Sequence, residues 1–473
     1  MAKTQKALTI VGRVAAGLVA GGLTAAVIVL LGVVSVPAVE RPVSSTTVDT
    51  AAATSSELGC LGSLAELGSD PSNPLAIRAV GTPDVASKAP EGESLDPIVL
   101  SRAEAGDTPE GALPTAVRIA GGDRARAARA QSQRVSEDDF QGFAATACAQ
   151  PLAESWLVAG TTTTGSSSLV VLTNPGKVTA TVSLTVYTNE GLVASPGSSG
   201  IVVDAGSQRI LSLNGLAPGA SSAVILVQSR GGKVLAALQQ SQLIGLNPVG
   251  VDAVVAVPEA QDRVVIPGVR VDRPAGVDTR DEHGDEEAIQ VLRVFTPGDQ
   301  PTTVTATGYR ADGTAIALGR FEVDPRVVNE YQLSGLDSGI FTVTVTADVQ
   351  ILAAVRVVAI GSSTDDFAWF ESAGALSGEA ATVIAPGNDP KLSLYNDNSD
   401  PVAVTVQGSG SERTVTVAPG ATAHLAVTAG EGVRLDSPET IYAAVSYSSD
   451  GVLASYTVQS PTVQAEPLTV YTR

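Results

Sequence analysis

The densest group of chemically capable side chains lies in VDTRDEHGDEE, residues 277–287. There Asp278, Asp281, Glu282, Asp285, Glu286 and Glu287 crowd around His283, one of two histidines in the chain. Hard carboxylate oxygens at that density suit Ca²⁺, and a histidine beside a carboxylate suits proton transfer. The spacing matches no calcium loop, so the stretch reads first as a solvated acidic insertion and second as a calcium site. Two histidines exclude a His-rich metal centre, and a zinc site would need ligands drawn from distant regions. The chain holds no Gly-x-Ser-x-Gly elbow, no Ser-x-x-Lys pair and no Gly-x-Gly-x-x-Gly loop opening a helix. These observations point away from an enzyme and imply no cofactor.

Three further groups could meet a ligand or hold the chain together. Trp156 and Trp369 are the only tryptophans. Exposed, they would stack on sugar rings, although burial at a domain junction is the commoner fate of tryptophan. Arg124, Arg126, Arg129 and Arg134 fall in DRARAARAQSQR, which reads as a short helix capped by Asp123. They form a basic patch for an anionic wall polymer or lipid, or more plainly a solvated helix face. Cys60 and Cys148, the only cysteines, read as one disulfide if the region is exported. Closing so long a loop contributes roughly 4–5 kcal/mol in the chain-entropy model.

What must position these residues is a β-rich string. The chain has 473 residues, a formal charge of −20 and only 4% aromatics, so Val, Leu, Ile and Ala fill its cores. That length implies about three domains, and the acidic balance argues against a nucleic-acid partner. Lys3, Lys6 and Arg13 precede a stretch from Val14 to Val36 that is apolar apart from Thr24 and Ser35. Residues 1–13 therefore read as a cytoplasmic tail and 14–36 as a transmembrane helix, with everything beyond exported. Val36-Pro37-Ala38 keeps a cleavable signal open as the alternative. Residues 39–57 read as a Ser/Thr-rich stalk. Residues 58–150 read as a mixed segment packing on the first of the domains that follow.

From residue 151 a phrase recurs. NPGKVTATVSLTVYTNEG (174–191) and TPGDQPTTVTATGYRADG (296–313) share their Pro-Gly, their alternating Thr/Val run and their Tyr-x-x-acid-Gly turn. DPVAVTVQ stands in the same place in a third unit. The arms KVLAALQ, QILAAVR and TIYAAVS close the three units. Period-two alternation of β-branched residues between Gly turns predicts antiparallel strands, about seven per unit. The fold class is therefore all-β: three tandem Ig-like sandwiches at 151–262, 263–381 and 382–473. A propeller would need four or more blades of about 45 residues, which three longer units fit poorly. Aligned positions place Leu211, Tyr331 and Leu425, and likewise Leu213, Leu333 and Val427, on the core face. His424, aligned with Ile210 and Glu330, falls on the opposite face, toward solvent.

The segments ACAQPLAESWLVAG, SSLVVLTNPGKVTATVSLTVY and GIVVDAGSQRILSL resemble an uncharacterised actinobacterial domain-of-unknown-function family of exported, membrane-anchored proteins. The likeness spans roughly residues 58–460 and includes Cys148, Trp156 and the Asn-Pro-Gly turn. It implies a cell-envelope setting and brings no catalytic residue or ligand with it. The expectation is a non-enzymatic scaffold or adaptor for another envelope protein. A cell-wall glycan-binding or adhesion module is the alternative.

Overall fold

In a computed structural model the described residues are 56–67, 77–104, 111–272, 290–408 and 410–460, the backbone of 44–48 and 468–472, and positions 17, 19 and 23. The acidic stretch 277–287 and most of 14–36 lie outside them. Among the described residues no helix is long and apolar enough to cross a membrane. The protein is nearly all β, in curled antiparallel sheets.

Residues 51–465 form one compact unit, and residues 1–50 with 466–473 form another. In the smaller unit Ser44–Val48 pairs antiparallel with Leu468–Thr472. One of these strands falls within residues 39–57 and the other within 382–473.

In the larger unit the repeat is visible strand by strand. The second copy runs Gln261–Val271, Val291–Phe295, Thr302–Tyr309, Ala315–Val323, Asn329–Gln332, Gly339–Ile360 and Asp365–Phe370. Its sixth strand is 22 residues long and serves two sheets. The first part pairs with the first and third strands, and the later part with the second and seventh. The third copy repeats this around Gly432–Ser449. In the first copy the long strand is divided into Ala223–Gly231 and Leu235–Ile244. Gly231 there has φ +82°, and a Cβ on Gly232 would stand 2.2 Å from the Val178 carbonyl oxygen, so the glycine pair permits the break.

Period-two patterning explains which faces are buried. Ala180–Thr188 has one buried face, as its Thr/Val alternation predicts. In Ser166–Asn174 both faces are covered: Val170 and Leu172 enter the core of the first repeat, while Leu169 and Val171 pack with Leu64, Val80 and Phe140 of the N-terminal segment. That cover also buries Ile210. Leu213 and Leu333 are buried as expected, whereas Leu211, Tyr331 and Leu425 are only half-buried. His424 is half-buried too, with Nδ1 2.9 Å from Ser393 Oγ, and is not directed into open solvent.

The N-terminal segment is itself made of strands. DRARAARAQSQR is not one helix: it divides into a 3₁₀ turn, Gly121–Arg126, and the start of the strand Ala128–Glu137. That strand pairs with Phe140–Ala147. The segment contacts the first repeat through Ser101 and Arg102, which run parallel to Ser207 and Gln208. It contacts the third repeat as well, where Phe143 meets Tyr447 edge-on at 5.6 Å. The first and second repeats join at Trp156, Tyr187 and Phe295, with Tyr187 and Phe295 ring centres 4.8 Å apart. The second and third join through Arg263 with Asp397 and Arg270 with Asp389. Four bodies thus make a closed circuit of contacts. Their inner strands, Phe140–Ala147, Asn247–Val255, Asp365–Phe370 and Val452–Thr457, meet at its centre.

Candidate functional site

At that centre sits a carboxylate that sequence reasoning did not single out. Asp366 is fully buried and accepts one backbone N–H from each inner strand. Phe143 and Leu453 donate to Oδ2 at 3.0 and 3.3 Å, and Phe367 and Val251 donate to Oδ1 at 3.0 and 3.3 Å. Gly142 and Gly250 allow this approach. A Cβ on either would fall 2.8 or 2.6 Å from Asp366 Oδ1, and both have positive φ. Asp252, also buried, accepts from Trp369 N at 2.7 Å and from Ala253 N at 2.8 Å. Glu371 lies buried nearby. Burial lifts all three acids well above the ordinary carboxyl range, and the Asp252 charge raises the other two further. The available signal was an acid inside an apolar strand, as in VGVDAVVAV and DDFAWF. The hub is a structural device, closed to a ligand.

The residues singled out by sequence fall as follows. Cys60 and Cys148 form the disulfide. Trp156 and Trp369 are 7% and 2% exposed. Trp369 donates Nε1–H to Gln240 Oε1 at 2.9 Å, and the Arg293 guanidinium covers its ring at 4.3 Å. Neither ring offers a face to a sugar. The four arginines do not form one exposed patch. Arg124 and Arg129 are buried, the former bonded to the Ala127 carbonyl oxygen and the latter to Ser87 and Thr115. Arg126 and Arg134 are exposed, the former paired with Glu379 at 2.8 Å and the latter lying over the Phe143 ring. Asp278, Asp281, Glu282, Asp285, Glu286 and Glu287 lie outside the described residues. Among those described, no group of three His, Cys, Asp or Glu could hold a metal ion.

An open concavity lies on the second repeat. A groove of about 650 Å³ is lined by Thr302, Thr303, Thr305, Arg320, Glu322 and Asp324, and closed on its far side by Thr346–Val349. Pleat and register set the lining. Val304 and Val323 point into the core, so Thr303 and Thr305 face outward opposite Glu322 and Arg320. Three carboxylates, counting Asp348, stand against one guanidinium. The groove can offer hydroxyls, charged hydrogen-bond partners and backbone groups to a polar ligand.

The fold and the sites together define a β-rich protein built from repeated strand units. Residues 102–428 match the model of a family of unknown function, DUF5719, and the chain belongs to that family. No curated protein and no solved structure matches it.

Proposed function

We propose that the protein is a non-enzymatic scaffold or adaptor that presents its β domains outside a membrane to another envelope protein. The observation that carries this reading is the closed circuit itself. Three repeats and the N-terminal segment share one centre, and the tryptophans and Arg126 serve to join them. The outer sheet faces and edges are left for partners. The same proposal takes each repeat as an Ig-like sandwich, because each has two sheets facing one core. It places residues 14–36 as a single-pass anchor with an N-terminal cytoplasmic tail, cleavage after Ala38 being the alternative, in an actinobacterial envelope. Crosslinking of the full chain in intact cells, followed by mass spectrometry, tests it. Repeated recovery of the same envelope protein is expected; recovery of none overturns the reading.

A second reading, recognition of a wall glycan, draws on the threonine-lined groove and no longer on the tryptophans. Sedimentation of the protein with deproteinated walls at low and high salt tests it. Co-pelleting that survives high salt is the outcome it requires.

A further inference from the structure

The groove on the second repeat arises from two strands that part company. In the first repeat, Ala180–Thr188 and Ala223–Gly231 pair along all nine residues. The corresponding strands of the second repeat pair only from Thr305↔Thr346 to Tyr309↔Thr342. Beyond Thr346 the long strand swings toward the other sheet, where Thr296 Oγ1 holds the Gln350 carbonyl oxygen at 3.1 Å. Thr302–Val304 keep their neighbour Phe321–Val323 on one side but face no strand on the other. Ala347–Val349 stand across the gap. The third repeat parts at the equivalent place, after Thr405↔Asp436.

A gap between two strands, flanked on both sides by backbone without a ladder partner, is shaped for another extended chain. A sugar would use the threonine hydroxyls but not the spacing of backbone donors and acceptors, whereas a peptide strand uses both. The lining also selects charge. Glu322, Asp324 and Asp348 against Arg320 favour a peptide with a basic side chain between small β-branched ones. We propose that this groove binds an extended, lysine- or arginine-bearing segment of a partner protein by strand addition. The proposal rests on the scaffold reading and gives it a docking site.

Hydrogen exchange of the full chain in detergent micelles, read by mass spectrometry, tests it with the end-capped peptide TVKVT as probe. Without peptide, the amides facing the gap in Thr302–Val304 and Ala347–Val349 should exchange fast. Saturating TVKVT should slow them about tenfold. The acidic analogue TVEVT should not, and Asp348→Lys, at an exposed position, should abolish the effect while leaving the melting temperature unchanged. Amides already protected in the free protein would mean that the strands pair in solution, and would overturn the proposal. Protection by chitotetraose but not by TVKVT would overturn it in favour of a glycan. Protection by neither would overturn the peptide site alone, since the scaffold reading is judged separately by crosslinking.

Discussion

The Asp366 carboxylate accepts the Leu453 backbone N–H at 3.3 Å across 87 residues of sequence. Three more N–H groups, from Phe143, Val251 and Phe367, share its two oxygens. A carboxylate can accept all four, whereas a side-chain amide would turn an NH₂ toward two of them. Asp366→Asn should therefore cost about 2–4 kcal/mol although its shape is conserved. Urea unfolding of the variant against wild type measures this. A change within error would mean that the four bodies are held by apolar contact alone.

The same hub shows what the sequence could and could not reveal. Strand content was legible because Thr/Val alternation is local, and so was the repeat, from the Pro-Gly and Tyr-x-x-acid-Gly phrases. The disulfide was legible in the even cysteine count, taken with the expectation of export. The N-terminal segment was opaque because its apolar runs are short and its strands find partners far away, as Ala65 does at Gln239. Its role in closing the circuit has no local signature. The hub bonds of Asp366 to Phe143 and Val251 span 223 and 115 residues, a distance that no pattern of spacing reaches. Trp156 and Trp369 are buried at a junction, the commoner fate for tryptophan, but which body would cover each had no local sign.

Two opposite titrations should shape stability against pH. Buried Asp252, Asp366 and Glu371 hold their protons more tightly folded than unfolded, chiefly through burial. Their contribution is therefore most favourable near pH 4 and is lost as pH rises through their elevated folded values. His424 acts the other way. Burial, aided by the Arg270 charge, lowers it to about 4, so the neutral ring is favoured and stability is lost as pH falls from about 6.5 toward 4. His424→Gln should remove that acid-side loss, worth at most about 3 kcal/mol. Urea midpoints of both proteins between pH 4 and 8 give the difference curve. The prediction fails if the curve is flat below pH 6.5.

Reduction of Cys60–Cys148 should weaken the N-terminal body more than the repeats. The bridge lies at the foot of Phe140–Ala147, the strand that carries the Phe143 donor, and beside the Gly59–Ala149 backbone pair. Loss of the crosslink should cost about 2–5 kcal/mol. Exchange of the 128–147 amides should accelerate before that of the third repeat. Thermal unfolding with and without reductant, paired with exchange on the reduced protein, checks both parts. Equal acceleration everywhere would show that the four bodies open together.

Arg293 ties the first two repeats by means that lysine cannot copy. Its side chain is 1% exposed, bonded to Glu330 at 2.7 Å and to the carbonyl oxygens of Gly160 and Ala223 at 2.9 and 2.8 Å. Its planar face lies on Trp369. Burial lowers its pKa from the usual arginine value, but a guanidinium there stays charged because partners surround it. Arg293→Ala leaves two carbonyls and Glu330 without their donor and should cost about 3–5 kcal/mol. Arg293→Lys keeps the charge but loses the fork and the stacking, and should recover less than half of that. Because both tryptophans lie at or beside this junction, intrinsic fluorescence should shift to the red in Arg293→Ala before global unfolding. An unshifted spectrum with lowered stability would instead place the loss in the second repeat alone, with the junction intact.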